Sequence, residues 1–424
     1  MRAILGIAVL VGIGYLLSTN RKAINWRTVG GAFVLQIVLA VLILKVPYVD
    51  AGFDWLARGF VKVISFTDFG TDFLLGSFTD GGKVDGALLN FAFRVLPTIV
   101  FFSALSALMY YLGILQLIVY AFAWVMKKTL QLSGSESLSA AGNVFLGQTE
   151  SPLLVRPFLG SMTKSEIMCL MTGGMATIAG GVLASYINFL GGDDPVQKAV
   201  FAKHLLTASI MSAPAAIAAA KLLVPETESY DQRMEISKDK LGSNVLEAVA
   251  NGTSDGLKLA INVGAMLLVF TAFIYFGNYI LGAVGGFTGL NNVIAENTPY
   301  ATLSFEMLLG YVGAPIAWML GVCSEDALLV GQLLGEKTIL NEFYAYVTLG
   351  DLKTSSSFKE EKSIIIATYV LCGFANFASI GIQIGGIGSL IPERKALLSS
   401  LGVRALRGGT IACLFTAGIA GMLL

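Results

Sequence analysis

Apolar runs of about 20 residues recur along nearly the whole chain, and no other feature limits its fold as strongly. A helical run of that length matches the hydrocarbon core of a bilayer. Because no water reaches the backbone there, only helices and closed barrels cross a membrane. Of the 424 residues, 55% are hydrophobic and 13% charged, against about 25% charged in soluble domains. The sequence therefore predicts an all-α polytopic membrane protein without a large soluble domain.

Eight runs are long and apolar enough to be transmembrane helices. They cover residues 3–18, 29–46, 87–112, 167–190, 199–222, 259–281, 364–390 and 406–423. Lysine and arginine gather in the segments that follow the first, third, fifth and seventh runs, which indicates that those segments are cytoplasmic. We therefore expect the amino terminus to face outward.

Three hydrophobic stretches are too polar or too interrupted to be simple spans: 140–159, 305–320 and the region around Asn341. Basic residues on both sides of Glu150 place both ends of the first stretch inside, so this stretch must enter the membrane and return. The stretch around Glu342 lies between two segments that the same count places outside. The sequence thus predicts two opposed re-entrant helical hairpins that meet near the middle of the membrane. Irregular backbone is tolerated there only inside protein or beside a water-filled cavity.

Each hairpin precedes a span that small polar residues interrupt, and one further span follows. The interruptions lie at Thr177 and at Gly373 to Asn376. Two such units with opposite orientation match the inverted repeats of secondary transporters. We therefore expect scaffold helices 1 to 3 and interfacial helices in 1–130, transport repeat 1 in 131–222, an inner loop and scaffold helix 6 in 223–303, and transport repeat 2 in 304–424.

Polar side chains at the hairpin tips and at the second interruption are candidates for one binding site. They are Gln148, Thr149, Glu150, Asn341, Glu342, Asn376 and Ser379, together with the aromatic Phe374. A carboxylate at membrane depth costs about 2.5 to 3.5 kcal/mol on insertion scales, so its presence indicates a function. The amide and hydroxyl at the first tip suit the edge of a flat heterocycle, the glutamates can accept hydrogen bonds from hydroxyl groups, and a phenyl ring can pack against a ring. This set favours a neutral ligand with an aromatic and a hydroxylated part.

The first interruption is also a candidate cation site. A helix broken at midplane exposes carbonyl oxygens, and Asn143 and Thr177 can add an amide oxygen and a hydroxyl oxygen. Alternatively, these two side chains only form interhelical hydrogen bonds, worth about 0.6 kcal/mol each on average. The residues alone leave both interpretations open.

Three motifs resemble those of the concentrative nucleoside transporters. They are GQTESPL at Gly147 to Leu153, KTILNEFYAY at Lys337 to Tyr346, and CGFAN at Cys372 to Asn376. The resemblance covers nearly the whole chain and is closest to the shorter bacterial members. It implies a multi-pass homotrimer in the bacterial inner membrane that imports nucleosides by sodium symport, with an elevator movement of a transport domain against a scaffold.

The resemblance also implies roles for individual residues. Gln148, Thr149, Glu150 and Val182 would contact the nucleobase. Glu342, Asn376 and Ser379 would bind the ribose, with Asn341 and Phe374 lining the site. Sodium would be held by Asn143, the Thr177 hydroxyl and the carbonyls of Leu146 and Ile178. Proton coupling remains the alternative because both glutamates could titrate, and the choice between purine and pyrimidine nucleosides stays open.

Other functional classes fit the sequence less well. A membrane-embedded enzyme that uses Glu150 and Glu342 as acid and base would lack any H-E-x-x-H or G-x-S-x-G motif. Two hairpins that close one site from opposite sides suit alternating access better than a passive channel. The formal net charge of zero and the absence of a basic block argue against nucleic acid as a partner. We expect no cofactor other than sodium as the coupling ion.

Overall fold

The computed structural model describes residues 2–79, 96–192, 194–236 and 242–424. Within these ranges every regular element is a helix, which confirms the all-α prediction. The helices are α1 (Arg2–Leu16), α2 (Trp26–Lys45), α3 (Pro47–Thr79), α4 (Leu96–Tyr111), α5 (Ile114–Leu130), α6 (Gly134–Asn143), α7 (Ser151–Leu154), α8 (Lys164–Ala176), α9 (Gly180–Gly191), α10 (Pro195–Leu223), α11 (Val245–Phe287), α12 (Leu290–Asn297), α13 (Phe305–Met319), α14 (Ala327–Ile339), α15 (Glu342–Thr354), α16 (Glu361–Leu371), α17 (Phe377–Leu390) and α18 (Lys395–Leu423).

Several of these helices are long and apolar enough to cross a membrane. By length and composition the described residues offer five: α2, the pair α8 and α9, α10, α11, and Pro392–Leu423. A sixth results if α4 and α5, which meet at 76°, form one bent span, and α1, α13 and α17 are shorter apolar helices. Of the predicted run 87–112, residues 87–95 lie outside the described residues.

Some predicted boundaries were wrong because a helix does not end where its hydrophobicity ends. Helix α11 has 43 residues, far more than the predicted run 259–281, so its polar ends continue as helix. Helix α18 begins at Lys395, so Arg404 and Arg407 lie within a helix and not in a loop. The stretch 305–320 forms the single helix α13 although it contains Pro315. Helix α3 has 33 residues, whereas the sequence predicts only interfacial helices without defined bounds in this region.

Helix α10 is the centre of the molecule. It is buried along most of its length and packs against α2, α3, α8, α9 and α18. Near its start Lys203 pairs with Asp50 and, at 3.0 Å, with Asp54 of α3. Near its end Lys221 pairs with Glu136 of α6. These buried or half-buried ion pairs connect α10 to the amino-terminal helices on one side and to α6 on the other.

Helix α11 lies at the periphery. It exposes large apolar side chains such as Leu268, Phe273 and Phe276, as expected for a surface that faces lipid. Its first half approaches α4 at Gly252 and Gly256, where an added Cβ would lie 2.6 Å from the Ala107 side chain and 2.7 Å from that of Ser103. Small residues four apart thus let the two helices pack closely.

Two units of hairpin, broken helix and helix follow one another in the predicted order. The first consists of α6 and α7, then α8 and α9, then α10. The second consists of α14 and α15, then α16 and α17, then α18. Capping boxes at Ser133 with Glu136 and at Thr163 with Glu166 start α6 and α8. The helices of both units thus follow one another in the order that the sequence pattern predicts.

Asp326, in the turn before α14, binds the backbone at the start of α16. Its carboxylate accepts hydrogen bonds from the backbone amides of Lys359 at 2.8 Å and Glu360 at 3.1 Å. Burial by itself raises the pKa of Asp326, but these bonds and those from Ser363 and Cys323 hold that pKa below the ordinary value of 3.8. The ionised form of Asp326 therefore stabilises the fold.

We expect Asp326→Asn to lower the free energy of unfolding at pH 7 by about 1 kcal/mol, the usual contribution of a helix cap. Because the folded pKa lies below the unfolded one, this contribution is complete above the unfolded value and is lost as the pH falls through the folded value. The difference in melting temperature between wild type and variant should thus be full at pH 7 and shrink below about pH 4. Glu325→Gln at the exposed neighbouring position is the control. An equal difference in melting temperature at pH 7 and below about pH 4 would contradict this role of the Asp326 carboxylate.

Candidate functional site

The breaks of the two interrupted helices touch each other. The backbone amide of Phe374 donates to the carbonyl oxygen of Thr177 at 3.3 Å. Gly373 has a φ of 142°, and a Cβ there would lie 2.8 Å from the carbonyl of Ala176 and 2.8 Å from Sγ of Cys413. Only glycine accommodates both the positive φ and the close approach. The two predicted interruptions thus form a single contact at the centre of the molecule.

Glu342, in the first turn of α15, is the most firmly held carboxylate of the candidate site. It is buried, its Oε2 accepts from Asn376 Nδ2 at 2.7 Å, and its Oε1 accepts from the Tyr186 hydroxyl at 3.2 Å. Asn376 caps α17, since its Oδ1 accepts from the Ser379 amide at 2.8 Å. The cap fixes the orientation of the Asn376 side chain and directs its NH2 group to Glu342. The second hairpin tip therefore joins α17 of its own repeat and α9 of the other.

The first hairpin tip reaches the same helix from the other repeat. Nε2 of Gln148 lies 3.2 Å from Oγ of Ser379. In the described part of the chain, Oε1 of Gln148 is buried without a hydrogen-bond partner, which leaves an acceptor for a ligand. Thr149 and Glu150 are exposed, and Glu150 accepts from the Gly147 amide at 3.2 Å. Both hairpin tips thus converge on the first turn of α17.

Asn143, at the end of α6, fits a cation ligand. Its side chain is buried, and neither Oδ1 nor Nδ2 has a partner among the described residues. The amide lies against Gly173, where an added Cβ would be 2.5 Å from Nδ2. The Thr177 hydroxyl donates to the Gly173 carbonyl at 2.9 Å, so its lone pairs remain available. Leu146 and Ile178, on the adjoining segments, are also buried. Burying an amide without a hydrogen-bond partner costs free energy unless a ligand binds it. Oxygen ligands suit a hard monovalent ion.

The other predicted residues lie nearby and make different contacts. Val182, in the first turn of α9, and Phe374 are both buried. The Asn341 side chain accepts from the Tyr344 amide at 2.9 Å and so caps α15. This capping role was not predicted, and it leaves the amide NH2 as the donor available to a ligand.

Two residues of the site were missed in the sequence. Tyr186 donates to Glu342 and stacks on Tyr346 with ring centroids 4.0 Å apart. Gln383 is buried and donates to a backbone carbonyl of α8 at 3.0 Å. Gln383 could have been found, because it follows Asn376 by seven positions and Ser379 by four and so shares their helix face. Tyr186 carries no such signal, being one aromatic residue in an apolar helix.

Lys337, the first residue of the second motif, is buried opposite the break after α16. Its Nζ donates to the Val370 carbonyl at 2.9 Å and lies 3.2 Å from Sγ of Cys413. Val370 belongs to the carboxyl end of α16, where unsatisfied carbonyls and the helix dipole favour a positive charge, and Cys413 lies on α18. Lys337 on the second hairpin thus contacts the broken helix of its own unit at Val370, and Asn143 on the first hairpin contacts the broken helix of its unit at Gly173.

Family models match almost the whole chain. The model described as "Na+ dependent nucleoside transporter C-terminus" matches residues 204–421, the one described as "Na+ dependent nucleoside transporter N-terminus" matches residues 5–78, and "Nucleoside recognition" matches residues 92–193. An uncharacterized transporter of Haemophilus influenzae is 41% identical over 100% of this chain and 97% of its own length.

Animal relatives are longer. Solute carrier family 28 member 3 of Rattus norvegicus is 40% identical over 99% of this chain, which spans 58% of that protein. Sodium/nucleoside cotransporter 1 of Homo sapiens is 37% identical over 99% of this chain, which spans 63% of that protein.

Solved structures share the fold. CNTnw in an inward-facing substrate-bound state has a TM-score of 0.87 and 38% identity, with 100% of this chain and 98% of that chain covered. A CNTnw variant in an outward-facing state has a TM-score of 0.88 and 38% identity, covering 100% of this chain and 97% of that chain.

Proposed function

Because this chain belongs to the family of Na+ dependent nucleoside transporters, we propose that it imports nucleosides such as uridine by symport with sodium. The observation that carries this proposal is the convergence of both hairpin tips on the first turn of α17, through Gln148 with Ser379 and through Glu342 with Asn376. One ligand in that place would contact both repeats at once.

The groups at the two tips divide between the two parts of a nucleoside. Gln148, Thr149 and Glu150, with Val182 beside them, offer amide, hydroxyl and carboxylate groups for the edge of a nucleobase. Glu342, Asn376 and Ser379 suit the ribose, because a carboxylate accepts from hydroxyl groups and the two neighbouring side chains can donate or accept. Phe374 and Asn341 complete the lining of this site.

Sodium is the second cargo in this proposal. Asn143 and Thr177 would hold it together with the carbonyl oxygens of Leu146 and Ile178. The unpartnered Asn143 amide supports this assignment. Since Gln148 and Asn143 lie on the same hairpin, an ion that orders the tip also orders the nucleobase contact, which couples the two ligands. One positive charge moving inward across 100 mV supplies about 2.3 kcal/mol, enough for roughly fifty-fold accumulation.

Transport would follow an elevator movement within a homotrimer of the bacterial inner membrane. The two repeats, 131–222 and 304–424, would form the moving domain, and the helices of 1–130 together with α11 the scaffold. The inward-facing and outward-facing structures of CNTnw, both similar to this chain, support alternating access.

Uptake of radiolabelled uridine into proteoliposomes tests the function. We expect uptake that saturates, requires an inward sodium gradient and stops when choline replaces sodium at constant pH. Protein-free liposomes give the background. Sodium-independent uptake that follows a pH gradient would move the coupling to protons, and the absence of uridine uptake under both gradients would contradict the proposed substrate.

A further inference from the structure

Glu336, in the last turn of α14, is a buried carboxyl group outside the nucleoside and sodium sites. It is 2% exposed. Its Oε1 accepts from Gln332 Nε2 at 2.7 Å, and Oε1 of Gln332 accepts in turn from the Tyr300 hydroxyl at 3.4 Å. Its Oε2 has no hydrogen-bond partner within the described ranges. The Glu336 carboxyl group therefore lies at the end of a chain of neutral hydrogen-bond donors, and one of its oxygens has no donor.

Cations near Glu336 in sequence or in the fold do not neutralise it. Lys337 follows directly, but consecutive residues point about 100° apart on a helix, and Lys337 is directed to the end of α16. The charged residues of α16 itself are Glu361 and Lys362 in its first turn. Neither Lys362 nor any other cation in the described residues forms an ion pair with Glu336. A charge buried in this way lacks the partner that would offset its desolvation.

The elements packed against α14 bring acidic and phenolic groups instead. From α13 comes Glu306, whose two oxygens accept from Asn278 Nδ2 at 3.0 and 2.9 Å. The phenols within electrostatic range are Tyr300, before α13, and Tyr344 of α15. Two carboxylates without a cation in one low-dielectric region cannot both ionise cheaply. Glu306 is the less buried of the two, and one amide nitrogen donates to both of its oxygens, whereas Glu336 has one unpartnered oxygen.

We propose that Glu336 is a proton-binding site that is filled at neutral pH and empties only in alkaline solution. Filling it keeps α14 packed on α13 and α15. Here Gly313 and Gly331 bring the helix backbones together, with an added Cβ on Gly313 only 2.4 Å from the Gly331 carbonyl oxygen. Loss of the proton places an uncompensated charge in this contact and loosens the second hairpin. The occupant is a proton, because one carboxyl group with a single unpartnered oxygen is too small a ligand set for a metal ion.

The sign of the pH dependence follows from linkage. A carboxyl group that keeps its proton in the folded state and loses it in the unfolded state makes the protein less stable as the pH rises. Buried glutamates of this kind titrate at about pH 8 to 9 in known cases. An unfolded glutamate loses its proton at about pH 4, so this contribution is complete below that pH and is lost progressively until the folded group also loses its proton. The melting temperature of the purified protein in detergent should therefore fall by several degrees between about pH 4 and pH 8 through Glu336 alone, and change little through it at higher pH.

The test compares wild type with Glu336→Gln, which has the shape of the neutral acid and no proton to lose. We expect the two proteins to melt alike at about pH 4 and the variant to be the more stable at pH 7 and above, because the unfolded wild type has lost the Glu336 proton at those pH values. Glu325→Gln, in the exposed turn before the same helix, should follow the wild type at every pH. Infrared difference spectra at pH 7 should show the carbonyl band of a protonated carboxyl group in wild type that is missing in Glu336→Gln. This band should disappear reversibly when wild type is made alkaline.

Superimposable melting curves across the pH range, or a difference spectrum without the protonated carbonyl band, would overturn the proposal. Neither measurement needs nucleoside or sodium, so a failure here is distinct from a failure of the transport function. If the variant does not fold, the alkaline infrared titration of wild type still decides the question.

Discussion

Glu342→Gln should reduce sodium-driven uridine uptake by about 10- to 150-fold. The carboxylate accepts from Asn376 Nδ2 at 2.7 Å and from the Tyr186 hydroxyl at 3.2 Å, and it is the acceptor proposed for the ribose hydroxyl groups. Glutamine replaces one acceptor oxygen with an NH2 group, which would face one of these two donors. Hydrogen bonds to charged groups contribute about 1.5 to 3 kcal/mol each, which corresponds to the stated factor.

A second measurement separates substrate binding from folding. Uridine should raise the melting temperature of wild type, because a ligand that binds only the folded state stabilises it. That increase should be absent in Glu342→Gln, measured against the variant's own melting temperature without uridine, because the substitution also disturbs the bonds to Asn376 and Tyr186. Glu325→Gln, the exposed control, should retain both uptake and the uridine effect. An undiminished uridine effect in Glu342→Gln would remove Glu342 from the binding site.

Asn143→Ala should raise the sodium concentration needed for half-maximal uptake by about tenfold or more. One oxygen ligand is lost from a small ion, at a cost of about 1.5 to 3 kcal/mol for a contact that involves a charge. Because neither side-chain atom of Asn143 has a partner among the residues described, its removal breaks no hydrogen bond of the fold. We therefore expect folding without sodium to be nearly unchanged, which is unusual for a buried polar residue.

The sodium dependence of the melting temperature makes this prediction specific. Wild type should become more stable as sodium replaces choline, and Asn143→Ala should lose most of that effect. The matched control is Asn188→Ala near the end of α9, whose Oδ1 is likewise buried without a partner in the described chain but lies beyond the break. Equal sodium effects in all three proteins would contradict a cation site at Asn143.

The features that the sequence predicted are those with a local physical cause. Glu150 and Glu342 are costly inside a membrane, so their positions identified both hairpins. Thr177 and Asn376, each three positions from a glycine, identified the breaks, because small polar residues replace the missing helical hydrogen bonds. Helix ends were predicted poorly where helix continues beyond the apolar run, as α18 does from Lys395 to the first spanning residues.

Contacts between the repeats were beyond the sequence. The bond between Gln148 and Ser379 joins residues 231 positions apart, and that between Tyr186 and Glu342 joins residues 156 apart. No periodicity specifies which helix faces which across such distances. The same applies to Glu336, because a helical sequence pattern does not distinguish a buried glutamate from one that faces solvent.

Lys337 gives the two units of hairpin, broken helix and helix unequal chemistry. The carbonyl end of α16 receives an ammonium group from the chain's own side chain. Covalent attachment holds that charge at a constant effective concentration, whatever the salt on either side of the membrane. In the first unit, no ion pair or hydrogen bond of the described residues brings a charged side chain to the Asn143 amide. In the proposed transport cycle a gradient of dissolved ions would therefore act on the first unit, whereas the charge in the second unit does not depend on the salt concentration.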